Sequence, residues 1–237
     1  RTEIAGAVQM VEMSIETMVE KEPITVVLSK QGWIRALKGT VEEEDIKFKE
    51  GDALSCLVKG YTTDHIMLFA TNGRFYSILG NDIRGGRGFG APVRLAIDLP
   101  EDADVLSMFI FQPDKKLLVA SRNGKGFIVE TNNIIAQTRA GKIILNLAEG
   151  DKAWVCEPAE GDSVAVMGNN RKLLVFKAEE IPTMVRGSGV ILQKYAEAKL
   201  SDVRFFNWAE GLTYPSGNGM HVEPDMSNWL GRRATVG

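Results

Sequence analysis

The sequence predicts an all-β fold, a propeller-like array of about five short-stranded blades whose last blade stops short of completion. Three observations predict it. A hairpin pattern of two apolar β-rich runs around a tight turn occurs five times, and its turn residues Gly32, Gly73, Gly124, Asn170 and Gly217 stand 41, 51, 46 and 47 residues apart. A basic, glycine-bearing turn follows the hairpins at comparable spacing. A period in the forties with several short strands per unit is the pattern of stacked blades, each burying its faces against its neighbours.

Taken in order, residues 5–22 are rich in Met and Glu, and Ser14 ahead of Ile15-Glu16-Thr17-Met18 supplies an N-cap, an early acid and an apolar face, so a short helix is expected there. From Pro23 the texture becomes β. Ile24-Thr-Val-Val-Leu-Ser, a turn at Lys30-Gln31-Gly32 and Trp33-Ile-Arg-Ala-Leu make the first hairpin. The unit returns as His65–Ala70 with Phe75–Ile78, Leu117–Ala120 with Phe127–Val129, Val164–Met167 with Leu173–Phe176, and Leu212–Tyr214 with Met220–Val222. A third apolar run closes each middle repeat: Val93–Ile97, Ile143–Leu147 and Val190–Leu192. The fifth repeat reaches Gly237 without its outer strand. Residues 1–22 thus read as linker and helix, and residues 23–237 as one cooperative domain.

Composition bounds the function. The 237 residues are 44% hydrophobic with a net charge of -3, no run approaches eighteen uncharged apolar residues, and the first residues lack a secretion-signal layout. A cytoplasmic protein is expected. Cys56 and Cys156 sit in apolar runs and His65 and His221 lie far apart, so the sequence suggests neither a disulfide framework nor a metal site. No nucleophile, base and orienting group assemble from its motifs, and none of Tyr61, Tyr76, Tyr195 or Tyr214 has the context of a DNA-cleaving residue.

Charge is segregated rather than evenly acidic. Val41 to Glu50 holds five acids, whereas Ile83 to Leu95 holds four glycines, three arginines and no acid. Arg139, Arg186 and Arg233 are spaced 47 and 47 apart, with Arg87 another 52 upstream. Singly, each arginine is equally well a solvated or capping residue; four in phase predict one edge studded with guanidinium groups. Arginine bonds phosphate bidentately, and glycine lets main-chain amides approach as donors, so such an edge suits a phosphate backbone. The expected contact set is Arg84, Arg87, Arg139, Lys142, Arg186, Arg232 and Arg233 on the turns. The hairpins add Arg35, Lys38, Arg74, Lys125, Arg171 and Lys172. Contacts of this kind tolerate any sequence, weaken with salt and favour a bent duplex. Beyond Phe89 few aromatics stand beside these arginines in sequence, which argues against a single-strand stacking platform. The acidic connectors Glu157 to Asp162 and Glu179-Glu180 read as solvated faces away from the turns. A docking scaffold for acidic protein partners is the competing reading.

Several stretches together resemble a known family. They are Ser14-Ile-Glu-Thr-Met-Val, Glu22-Pro-Ile-Thr-Val-Val-Leu-Ser-Lys-Gln-Gly-Trp-Ile-Arg-Ala-Leu-Lys-Gly39, Arg87-Gly-Phe-Gly-Ala-Pro92, Ala140-Gly-Lys142 and Val175-Phe-Lys-Ala-Glu-Glu-Ile-Pro182. Through them the chain resembles, over essentially its whole length, the C-terminal domain of the A subunits of bacterial type IIA topoisomerases, on the topoisomerase IV side. Arg1-Thr2-Glu3-Ile4 resembles the end of the preceding DNA-cleavage region. The resemblance implies a β-pinwheel whose blades exchange strands and whose perimeter binds duplex DNA for decatenation and relaxation. It further implies a non-catalytic domain without a cofactor, with cleavage, ATP and Mg used elsewhere in the enzyme. Its partners would be the remainder of its own polypeptide, the ATP-using B subunits and regulatory proteins, in a cytoplasmic, nucleoid-associated setting. Gyrase relatives carry a box, Gln-Arg-Arg-Gly-Gly-Lys-Gly, that enables wrapping. Here Asp82-Ile-Arg-Gly-Gly-Arg-Gly88 keeps only its core, in the second repeat, while Ile46-Lys-Phe-Lys-Glu-Gly-Asp52 in the first does not match. That departure, and five hairpins instead of six, favour topoisomerase IV over gyrase.

Overall fold

The computed structural model describes residues 18–85 and 88–237, so most of the helix expected over residues 5–22 lies outside the described residues. The described chain is strand, turn and short 3-10 segments. No helix in it is long and apolar enough to cross a membrane. Its strands are β1 (Pro23–Ser29), β2 (Trp33–Lys38), β3 (Leu54–Tyr61), β4 (His65–Ala70), β5 (Arg74–Leu79), β6 (Ala91–Pro92), β7 (Val105–Ile110), β8 (Lys116–Ser121) and β9 (Lys125–Glu130). They continue as β10 (Lys142–Ile143), β11 (Ala153–Pro158), β12 (Ser163–Gly168), β13 (Leu173–Lys177), β14 (Val190–Ile191), β15 (Leu200–Phe206), β16 (Leu212–Ser216) and β17 (Gly219–Glu223).

Two compact units share these strands. Of the described residues, the first comprises 18–68, 76–85, 88–111 and 136–141. It holds the antiparallel sheet β3-β1-β2-β6 and the base of the β4–β5 hairpin, where the Phe111 amide continues the β7 ladder by donating to the His65 carbonyl. β1 is central and reads as an almost unbroken apolar run because both of its faces are covered. Its one polar interior residue, Thr25, is fully buried and satisfied: the hydroxyl donates to the Gly39 carbonyl and accepts from the Val41 amide. Outer β3 alternates between half-buried and exposed residues, with little hydrophobic contrast.

The second unit comprises Phe69–Phe75, Gln112–Ile135 and Lys142–Gly237. It contains the tip of the β4–β5 hairpin paired with β10, the sheets β11-β8-β9-β14 and β15-β12-β13, and the two-stranded β16–β17. Its main core packs Leu118, Val164, Val166, Phe176, Leu192 and Leu200. Tyr195 leans on this cluster with its ring between two glycines: a Cβ at Gly124 or at Gly168 would lie 2.7 Å from a ring carbon. Gly73 is required at its turn for a similar reason, since φ is +80° and a Cβ would stand 2.1 Å from the Leu145 carbonyl oxygen.

All five hairpins expected from the sequence are present. The third apolar runs are not strands along their length. Only Ala91–Pro92, Lys142–Ile143 and Val190–Ile191 are extended, and Val93–Leu95 is a 3-10 turn. Each two-residue strand pairs with the hairpin of the preceding repeat: β6 with β2, β10 with β5 and β14 with β9. The apolar residues that follow are consumed as core, with Val93, Ile97, Ile144, Leu145 and Leu192 buried. True outer strands come later in each repeat, as β3, β7, β11 and β15.

Candidate nucleic-acid interface

The basic turns are set by the strand exchange. Those of the second and fourth repeats enter their two-residue strands through a glycine that must pass close to the neighbouring strand. At Gly90 and Gly189, both at positive φ, a Cβ would stand 2.2 Å from the Ile34 carbonyl oxygen and 2.3 Å from that of Gly126. Within each unit, successive turns are then hydrogen bonded through main chain. The Asp98 amide donates to the Arg139 carbonyl, the Asn146 amide to Gly187, the Gly187 amide to Ile144, the Ala234 amide to Leu192 and the Lys194 amide to Thr235.

Strand register corrects the expected phase of the arginines. Counted back from the glycine that opens or takes the place of the short strand, Gly90, Gly141, Gly189 or Gly237, the arginines stand three, two, three and four residues away. A constant spacing of 47 therefore does not give constant placement, because the turns differ in length. Their partners differ accordingly. Exposed Arg139 forms an ion pair with Asp98 at 3.3 Å, and exposed Arg186 donates to the Asn146 side-chain oxygen at 3.4 Å. Arg233 is half-buried, its Nε donating to the Glu180 carbonyl and its Nη1 to that of Ile191, both at 2.8 Å. Each of the three reaches back to an earlier segment and pins its turn there.

The remaining expected residues divide into placed, withdrawn and undescribed. Arg84 and Arg139 share a cleft of about 430 Å³ in the first unit, with Asp82, Gln137, Thr138 and Pro92 in its walls. In the second unit Lys142 is exposed where its turn enters β10, Arg186 and Arg232 are exposed on their turns, and Lys125, Arg171 and Lys172 are exposed at hairpin turns. Arg171 is left-handed at φ +65°. Lys38 is exposed at the far end of β2, and Arg74 is half-buried at the start of β5. Arg35 is buried, and its guanidinium donates to the carbonyls of Gly88 and Lys47, which takes it out of reach of an external phosphate. Arg87 lies outside the described residues.

Two readings of the sequence change. Glu180 is not a solvated acid away from the turns: its carboxylate accepts the Arg233 and Lys177 amides. Glu157 is half-buried, and burial, with Asp202 adding to it against the pull of Arg204, raises its carboxyl above the ordinary range. Asp162 is held below that range by the Trp208 amide and the Ser163 hydroxyl. Basic and aromatic groups also meet in space where they are distant in sequence. Arg122 lies 4.0 Å over the ring of Trp154, and Lys49 lies 3.5 Å over Trp33. Each such ring has one face covered by its own cation.

Lys194 and Lys199 were missed as candidates. With Lys125 they line a cleft of about 500 Å³ beside Tyr195, and Lys199 Nζ donates to the Asn123 side chain. The available signal was the pair of lysines bracketing Tyr195-Ala-Glu-Ala, right after the fourth turn. Burial raises the Tyr195 phenol to about 12.

Comparison with known proteins agrees with this geometry. The family model described as "DNA gyrase C-terminal domain, beta-propeller" matches residues 64–112, 115–153 and 162–206. The chain is 42% identical over 226 residues to the DNA topoisomerase 4 A subunit of Rickettsia bellii, covering 95% of this chain and 31% of that protein. It is 40% identical over 228 residues to the DNA topoisomerase 4 A subunit of Caulobacter vibrioides, covering 95% of this chain and 30% of that one. The chain thus spans less than a third of these relatives. Among solved structures, the E. coli ParC C-terminal domain superposes with a TM-score of 0.79 at 27% identity, covering 91% of this chain and 93% of that one. Five successive hairpins, strands lent back to the preceding blade and these matches together assign the chain to the family of DNA gyrase C-terminal β-propeller domains, among relatives that are topoisomerase IV A subunits.

Proposed function

We propose that the chain is the non-catalytic DNA-binding domain of a topoisomerase IV A subunit. It holds and bends duplex DNA for decatenation and relaxation by an ATP-dependent type II enzyme that works on the nucleoid in the cytoplasm. The B subunits and the remainder of the polypeptide carry the ATP and cleavage chemistry, with Mg, outside this chain. The observation that carries the reading is the set of exposed cations on turns whose main chains bond to one another, Lys142, Arg186 and Arg232 in the second unit and Arg84 with Arg139 in the first. Within each unit main-chain pairing sets the turns in fixed succession, and a fixed succession of cations suits the regular charge spacing of a duplex backbone.

A titration of this chain with duplex oligonucleotides at low salt tests the proposal. Binding that is tolerant of sequence and weakens with salt is expected. Absence of binding, or tight capture of acidic peptides in its place, would favour a protein-docking scaffold. A topology assay on the full enzyme separates the gyrase alternative, which would introduce net negative supercoils where this reading expects decatenation and relaxation.

A further inference from the structure

The parallel bridges Ala36↔Gly85, Ile128↔Thr183 and Val175↔Leu230 mark equivalent places in three hairpins. The residue just before each is Arg35, Phe127 or Leu174. Phe127 and Leu174 are buried hydrocarbon, as the core demands, whereas Arg35 brings a guanidinium to the same place with only 9% of its surface exposed. Among the described residues Arg35 bonds to main-chain carbonyls and has no carboxylate partner. A buried charge at a hydrophobic position is costly unless it is well bonded.

Its bonds indicate what it is for. Nη1 donates to the Gly88 carbonyl at 2.8 Å, Nη2 donates to the Lys47 carbonyl, and the guanidinium sits 5.9 Å from the centroid of the Phe48 ring. Lys47 belongs to the first repeat's connector, the one without a basic turn. Gly88 belongs to the basic turn of the second repeat. Gly88 is left-handed at φ +97°, and among the described residues nothing stands within 4 Å of where its Cβ would be, so their packing does not fix it. Gly90, two residues on, is likewise at positive φ. A run with this much glycine gives up much backbone freedom when ordered. Among the described residues the Arg35 bond ties Gly88 itself to the sheet, between the Ala36↔Gly85 bridge and the close approach of Gly90 to Ile34.

One peptide plane carries this tie to the surface. The bond between Gly88 and Phe89 is trans, so the Phe89 N–H points opposite to the Gly88 carbonyl. With the carbonyl held on buried Arg35, the N–H is directed away from Arg35, next to the exposed Phe89 side chain. We infer that Arg35 is a positioning residue: by holding the Gly88 carbonyl inward it sets the Phe89 N–H outward as a fixed main-chain donor to a DNA phosphate, without itself touching DNA. The inference rests on the DNA-binding reading above.

The test compares the native chain with Arg35→Met and Arg35→Lys in two readouts, duplex affinity against salt and the NMR signal and exchange rate of the Phe89 amide. Met supplies hydrocarbon, as Phe127 and Leu174 do at the equivalent places of the third and fourth hairpins. Lys keeps the charge but not the planar fork that reaches two carbonyls. In Arg35→Met we expect the amides of β1 and β2 to stay protected, the Phe89 signal to shift and broaden, and duplex affinity to fall about three- to tenfold, with a log–log salt slope within about half a unit of native because no phosphate-neutralising charge is lost. Arg35→Lys, which covers the case in which the Met variant does not fold, is expected to lose affinity by a smaller factor at native slope. Native affinity in either variant with an unmoved Phe89 signal would overturn the inference. So would a slope about one unit flatter in Arg35→Met that Arg35→Lys fully restores, which would make Arg35 a direct phosphate contact. If the native chain itself ignores duplex DNA, it is the DNA-binding reading that fails, and the Phe89 signal still reports whether Arg35 holds the turn.

Discussion

The amide of Arg233 donates to the Glu180 carboxylate at 3.1 Å while its Nε donates to the Glu180 carbonyl at 2.8 Å, so one residue holds the last basic turn by both its charge and its backbone, across 53 positions of sequence. Its neighbour Arg232 is exposed. The two arginines should therefore separate in experiment. Arg233→Ala is expected to destabilise the fold by about 1–3 kcal/mol, the cost of stranding partly buried acceptors, and to leave the salt slope of duplex binding unchanged. Arg232→Ala is expected to leave thermal unfolding unchanged and flatten that slope by about one. Paired calorimetry and binding titrations check both.

Tyr195 gives a packing prediction with two opposite signs. Gly168→Ala would place a methyl 2.7 Å from its ring and is expected to cost about 1–3 kcal/mol. Tyr195→Phe removes a buried hydroxyl that has no hydrogen-bond partner among the described residues and is expected to be neutral or to raise the melting temperature. Thermal denaturation of the two variants decides it, and a stabilised Gly168→Ala would show that the ring has room to move.

Glu157 gives a pH dependence. Burial raises its folded-state value above the unfolded one of about 4.3, so the ionised carboxylate weakens the native state wherever pH exceeds the folded value. The penalty shrinks as pH falls through the folded value and is gone below the unfolded one. Glu157→Gln is expected to melt up to about 2 °C higher than native at pH 7, a small shift because the group is half-exposed, and to coincide with native near pH 4. Melting curves across that range provide the check.

The hairpins were legible because their signals are local: apolar runs of strand length and a turn residue that tolerates positive φ, from Gly32 to Gly217. The strand exchange was not, since a two-residue strand such as Ala91–Pro92 carries no periodicity and the apolar residues beyond it are needed for the core. Outer strands such as β3 escaped because their faces differ little in burial. Arginine spacing was legible as a pattern and misleading as geometry. The turns vary by a residue or two, and that slip sends Arg139 to a carboxylate, Arg186 to an amide oxygen and Arg233 to two carbonyls. Arg35 looked like the other hairpin cations because nothing in one sequence marks a guanidinium that replaces core hydrocarbon.

The exposed cations at the turns carry the proposed DNA binding, and the most direct measurement is the salt dependence of duplex affinity for the native chain beside the triple variant Lys142→Ala, Arg186→Ala, Arg232→Ala. The expected result is weaker binding by a similar factor on unrelated sequences, unaltered thermal unfolding, and a log–log slope flatter by up to about three units. An unchanged slope with unchanged affinity would contradict the account and place the phosphate contacts away from these turns.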